Sequence, residues 1–199
     1  MAYSSFKLEK LVKDFQLEIV ESSEIFAETA PVKASATLTD LLQENINLAV
    51  AINTEKARSE MLIAPVFWEI RRQNQGNVGL FSGVEFNVDE AQGLNGTCDF
   101  LLSKNPEQLF VKSPVVIAVE AKNENLKSGF AQCVATAIAA QIFNRQEETS
   151  IPSICGVVTI GTIWRFLRLQ ETTVEIDLNE YYLKTDLNKI LGILAHFLK

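Results

Sequence analysis

Glu120 and Lys122 stand two apart at the end of an apolar run, Val115-Val116-Ile117-Ala118-Val119. A run of mostly β-branched residues predicts a buried strand. On a strand, residues two apart share a face, roughly 6–7 Å from one another along the chain. On a helix they would point to different sides. Asp99 lies in Gly96-Thr97-Cys98-Asp99-Phe100-Leu101-Leu102, the preceding predicted strand. Pairing of the two strands lets Asp99 face Glu120. Carboxylates held that close repel unless a cation or a proton sits between them. A hard divalent ion with oxygen ligands meets that need, and Mg²⁺ keeps several waters for chemistry. The same residues admit a structural reading, with Glu120 and Lys122 as a salt bridge on a sheet face and Asp99 capping a turn.

The elements around these residues follow from periodicity. Residues 1–35 read as an N-terminal arm docked on the core, and 36–199 as a single domain. Thr37 and Asp40 resemble a capping box, opening a helix that carries Leu38, Leu41, Leu42, Leu48 and Ala49 at helical spacing. A second helical stretch covers about Glu55 to Gln73, and Pro65 predicts a kink or break within it. Strands are expected over about 80–88, 97–103 and 115–121, followed by a helix from Gly129 to Asn144. Further strands follow over about 154–160, 162–169 and 173–178, with a closing helix from about Asp186 to Leu198. That order gives a mixed α/β domain. Trp68, Trp164 and most of the twelve Phe read as core.

In this setting the motifs resemble those of the PD-(D/E)XK nuclease superfamily. Asp99, followed by Glu120-Ala121-Lys122 on a strand, is similar to its signature. Thr54-Glu55-Lys56-Ala57-Arg58-Ser59-Glu60-Met61 and the residues to Pro65 resemble the opening helix of restriction-endonuclease-like domains, including the nuclease domain of type I restriction enzymes. Gly129-Phe130-Ala131-Gln132 resembles the start of the family's Gln-bearing helix. The similarity spans about Glu55 to Leu169, and Cys98 replaces the Pro of the family name.

The resemblance implies an α/β fold: a restriction-endonuclease-like core, a mixed central sheet flanked by helices. It further implies that Asp99 and Glu120, with the backbone carbonyl of Ala121, hold Mg²⁺ or Mn²⁺. Lys122 would orient water and stabilise charge, Glu60 would orient the site or support a second ion, and Gln132 would hydrogen-bond water or phosphate. The implied activity is metal-assisted hydrolysis of phosphodiester bonds in DNA. The alternative is a catalytically silent nuclease-fold module for binding or assembly. Glu60 also reads as an ordinary exposed helix residue.

Composition narrows the field. The chain has 199 residues, 47% of them hydrophobic, and a net charge of −7. The length suits one domain with a sizeable core, and the charge excludes a strongly basic nucleic-acid coat. The charge also argues against tight non-specific DNA binding, so recognition would fall to a partner subunit or a local groove. Arg71, Arg72, Lys104, Lys112, Lys127 and Arg145 are candidates to line one. His196 is the single histidine, read as a surface or edge residue. Ser-His-Asp, Cys-His and histidine-metal chemistry therefore lack an imidazole. Neither G-x-x-x-x-G-K-[ST] nor G-x-G-x-x-G occurs. Cys98, Cys133 and Cys155 form no C-x-x-C pair, so neither disulfides nor structural zinc are expected. No membrane span and no secretory leader are visible, which makes a cytoplasmic protein the expectation. A homodimer through the amphipathic stretch Leu187–Leu198 fits either function.

Overall fold

A computed structural model describes residues 3–199. Its centre is a mixed eight-stranded sheet built from β1 (Glu18–Ser22), β2 (Gly79–Glu85), β3 (Thr97–Ser103), β4 (Val115–Ala121), β5 (Ile154–Thr159), β6 (Ile163–Gln170), β7 (Thr173–Asp177) and β8 (Tyr181–Tyr182). The strands lie in the order β1-β7-β6-β5-β4-β3-β2, with β8 paired to β6. Helices α1 (Leu8–Asp14), α2 (Ala36–Ile52), α3 (Glu55–Arg58), α4 (Ala64–Gln73), α5 (Leu126–Gln146) and α6 (Leu183–Leu198) cover the faces.

β4 is buried along its whole length, as its uninterrupted apolar run requires of a strand covered on both faces. It pairs parallel with β5, which demands a crossover, and α5 supplies it. Side chains alternate between two cores. On one face Phe100, Val119, Val157, Trp164 and Phe166 pack with residues of α2, α4 and α6. On the other, Leu101, Ala118, Val158 and Leu167 meet α1 and α5. β1, β4, β5 and β7 run in one direction, so their C-terminal ends, Ser22, Ala121, Thr159 and Asp177, share one edge of the sheet.

Several expectations are corrected. Helix α2 is capped by Ser35, whose Oγ accepts the Leu38 N–H at 3.2 Å, and not by a Thr37–Asp40 box. The reason is Glu69. Its buried carboxylate accepts both the Ser35 N–H and the Ser35 hydroxyl, at 3.1 and 2.9 Å, and pins the residue at the helix entrance. Pro65 does not break the second helical stretch. The chain widens into a π-turn over Ser59–Ile63, with the Ala64 N–H reaching back to the Ser59 carbonyl. Pro65 then enters the first turn of α4, where its missing N–H removes no bond. Trp68 is 70% exposed, whereas Trp164 is fully buried. The apolar face of α6, including Ile190, Leu191, Leu194 and Phe197, is consumed by the core and is not a free dimer surface.

Residues of the first 35 enter the main body directly. β1 pairs with β7 at the sheet edge, and the Tyr3 hydroxyl donates to the Phe86 carbonyl at 2.6 Å. Among the described residues, no helix is long and apolar enough to cross a membrane.

Glu69 is 4% exposed and binds Arg72, Gln73 and Ser35. Burial alone would raise its carboxyl, but these donors outweigh that and hold it below the ordinary value. A depressed carboxyl stabilises the fold above its unfolded-state pKa, and that contribution disappears as pH falls through the folded-state value. Glu69→Ala is therefore expected to cost about 3 kcal/mol at pH 7 in urea denaturation. The gap from wild type should close as the pH drops below the usual carboxylate range.

Candidate metal and phosphate site at the strand ends

The β3–β4 ladder pairs Phe100 with Val119 and Leu101 with Ala118. Carried one residue further, the antiparallel register sets Asp99 opposite Glu120, on the face that Leu101 and Ala118 share. Asp99 Oδ2 accepts the Ala121 N–H at 2.7 Å. That bond fixes the half-buried carboxylate beside β4. Glu120 is 2% exposed, and its Oε1 is ion-paired with Lys122 Nζ. The structure thus brings Asp99, Glu120, Ala121 and Lys122 together.

The electrostatics follow from that geometry. Burial, reinforced by the Asp99 charge, pushes the Glu120 carboxyl up to about 8. Burial likewise raises Asp99, against the Ala121 hydrogen bond and the Lys122 charge. Burial pulls Lys122 down, but its bond to Glu120 and the charges of Glu120, Glu55 and Asp99 hold it above its ordinary value. When both carboxyls are ionised, two opposed carboxylates with one ammonium leave a net negative pocket of hard oxygen donors. Such a donor set suits Mg²⁺ or Mn²⁺, which bind through one or two carboxylates and retain waters. Among the described residues no group of three or more His, Cys, Asp or Glu side chains forms a metal cluster.

Helix α5 roofs the site at Gly129. A Cβ there would meet Val158 Cγ1 at 2.6 Å and the Cγ atoms of Glu120 and Lys122 at 3.3 Å. The missing side chain is what lets the helix start rest directly on the pair. Gln132 sits one turn further on, half-buried, with no side-chain hydrogen bond among the described residues. Thr136, a turn beyond Gln132 on the same side of the helix, donates to the Gln132 carbonyl at 3.1 Å and lies near Cys98, beside Asp99. That places Gln132 on the β3 side of α5.

Glu60 is solvent-exposed and pairs with Lys56 at 3.1 Å. The acidic residue that the first helix turns toward the site is Glu55, whose charge raises both Glu120 and Lys122. Its signal was the cap: Thr54 Oγ1 accepts the Ala57 N–H at 3.1 Å, so Glu55 opens the helix. Arg58, 7% exposed, secures that corner. It donates to Asn53 Oδ1 at 3.0 Å and to the Ile160 carbonyl at 2.9 Å, while Asn53 donates to Glu124 just beyond β4. The six basic residues proposed for one groove are scattered. Arg72 is bound to Glu69, and Lys127 and Arg145 stand at opposite ends of α5, about 27 Å apart at 1.5 Å per residue.

A buried acid with a raised pKa is penalised for ionising in the folded state, so it lowers stability increasingly from its unfolded value near 4.5 up to about 8. In EDTA, Glu120→Gln is expected to raise Tm by about 3 °C or more at pH 8.5, with the gain shrinking toward pH 5. Gly129→Ala should cost about 1–3 kcal/mol in denaturant unfolding through overpacking. No family model, no curated protein and no solved structure matches the chain, so the reading of this site rests on its geometry.

Proposed function

We propose that the chain is a metal-dependent nuclease with a restriction-endonuclease-like core, hydrolysing phosphodiester bonds in DNA. The observation that carries the reading is the placement of Asp99 and Glu120 opposite one another, with Lys122 bonded to Glu120, at the edge where four parallel-running strands end. Open α/β sheets place ligands outside the carboxyl ends of their strands.

Asp99, Glu120 and the Ala121 carbonyl would hold Mg²⁺ or Mn²⁺. When bound, the ion supplies Lewis-acid stabilisation of charge on a phosphoryl oxygen. The protein's own groups do the rest. The Ala121 N–H holds the Asp99 carboxylate in one orientation, so the donor set is organised before substrate arrives. Lys122, kept protonated by its acidic neighbours, acts as a hydrogen-bond donor and not as a base. It orients the attacking water and stabilises the extra charge of the pentavalent transition state. Gln132 presents a free amide to a phosphate or to that water. Glu55 stands where the first helix meets the site, in the role the resemblance gave to Glu60.

A second reading, a silent binding or assembly module, is favoured by two observations. The net charge is −7, and Glu120 is already satisfied by Lys122. The test is cleavage of single- and double-stranded DNA and RNA in Mg²⁺ and in Mn²⁺, with Lys122→Ala purified in parallel. Wild type is expected to cleave DNA, and Lys122→Ala and Asp99→Ala to fall by about 100-fold or more. Glu55→Gln should lose about tenfold, while Glu60→Gln stays within twofold. Equal cleavage by wild type and Lys122→Ala would mean a contaminant. In thermal unfolding, saturating Mn²⁺ should raise wild-type Tm, by about 2.7 kcal/mol of added stability at 100 times Kd, and leave Asp99→Ala unmoved. Absence of both cleavage and a metal shift would establish the silent module.

A further inference from the structure

The row of residues that contains Glu120 continues across the sheet. Glu120 pairs with Val158 on β5, and Val158 pairs with Arg165 on β6. Arg165 therefore projects from the same face, two strands or about 10 Å from Glu120. The first turn of α5 stands between them. Gly129 faces Glu120 and Lys122, and Phe130 on the far side packs under the Arg165 guanidinium, 5.1 Å from ring centroid to Cζ. Beyond it opens a cleft of about 470 Å³ whose lining includes Lys7, Lys127, Ser128, Phe130 and Arg165.

Three features of this cleft point to an anion. Arg165 is held rigid, with Nε and Nη2 donating to the Asp177 carbonyl at 3.1 and 2.8 Å, and its Nη1 donors have no partner among the described residues. Lys7 and Lys127 are exposed, and neither forms an ion pair among the described residues although the chain carries −7 overall. The positive end of the 21-residue helix α5 also opens here. Glu9 and Glu21 line the rim and leave the cleft with a net side-chain charge of +1. Phe130 is 8% exposed beneath the guanidinium, so no face is free to stack a base. Leu8, Ala131, Ile176 and Leu178 form the apolar part of the wall, and the cationic groups beside them recognise phosphate and carry no sequence readout.

We propose that this cleft binds the sugar-phosphate backbone of a nucleic-acid strand immediately beside the Asp99–Glu120–Lys122 centre. The inference rests on the nuclease reading and gives it a substrate-holding surface on the far side of the α5 start. A cleft of this size takes one or two nucleotides of a single strand, and the strand then passes the exposed start of α5 at Lys127 toward Lys122.

The test is fluorescence anisotropy of labelled single-stranded DNA of about 20 nucleotides, in EDTA so that nothing is cleaved, across a salt series. Lys7→Glu/Lys127→Glu is compared with Lys33→Glu/Lys184→Glu, which makes the same change in total charge at exposed sites outside the cleft. The cleft variant should bind at least tenfold more weakly, with its salt slope reduced by about 1.5. The control should stay within threefold of wild type, and Glu9→Gln/Glu21→Gln should bind more tightly. Equal losses in cleft variant and control, or no binding by wild type, overturn the proposal. Wild type that binds through the cleft but fails to cleave in Mg²⁺ or Mn²⁺ sinks the nuclease reading and leaves the cleft standing. Cleavage that survives in a cleft variant with undiminished binding does the reverse.

Discussion

At the open end of β3 the carboxylate of Asp99 takes the Ala121 amide proton. This contact ties a carboxylate to the backbone of the neighbouring strand, directly beside a second carboxylate that is almost wholly buried. Desolvation works against both charges, and Lys122 offsets it in part for each, through its bond to Glu120 and its charge near Asp99. A pocket of this kind costs folding stability for as long as it lacks further positive charge. The surrounding architecture exists to keep it assembled: β4 buried on both faces, α5 laid over Gly129, and the Arg58–Asn53–Glu124 linkage bracing the loops on the other side.

Strand direction converts that local strain into a surface. β1, β4, β5 and β7 end together, so Lys122, the helix start of α5 and the loop after β7 meet at one edge. Cross-strand register then sets Asp99, Glu120, Val158 and Arg165 in a row. Acidic groups occupy one end and a guanidinium the other, with the α5 turn between them. A polyanion approaching a chain of net charge −7 would be repelled over most of its surface. The cations of Lys7, Lys127 and Arg165 line one cleft, on the far side of the α5 start from the trio.

The strands that carry Asp99 and Glu120 were legible to the residue, because an apolar run bounded by Gly, Pro or charge has few other readings. The juxtaposition of Asp99 and Glu120 followed from strand periodicity once pairing was assumed. What periodicity could not show was which acidic residue of the Glu55–Glu60 stretch turns inward. That depends on the π-turn at Ser59–Ile63, which rotates the helix after Arg58 and has no sequence pattern of its own. The Ser35 cap was hidden for a related reason. Its deciding partner, Glu69, lies 34 residues away, and local propensity carries no information about it. Trp68 defeated the rule that large aromatics are buried, a rule that holds by composition and not position by position.

Arg165 shows the limit most clearly. In the sequence it is one of two arginines in the strand Ile163-Trp164-Arg165-Phe166-Leu167-Arg168-Leu169-Gln170, and alternation says only that it faces away from Trp164. Its neighbours are fixed by three long-range pairings: with Val158 across the β5–β6 hairpin, with the Asp177 carbonyl at the end of β7, and with Phe130 from the crossover helix. The last two engage the side chain, through Nε and Nη2 and through the guanidinium face, and leave Nη1 without a partner among the described residues. An arginine needed only for packing would be expected to close on a carboxylate, and Glu21 lies in the same cleft. It instead bonds a neutral carbonyl, about 10 Å from Glu120, which leaves its charge available to the phosphate-bearing strand proposed for the cleft.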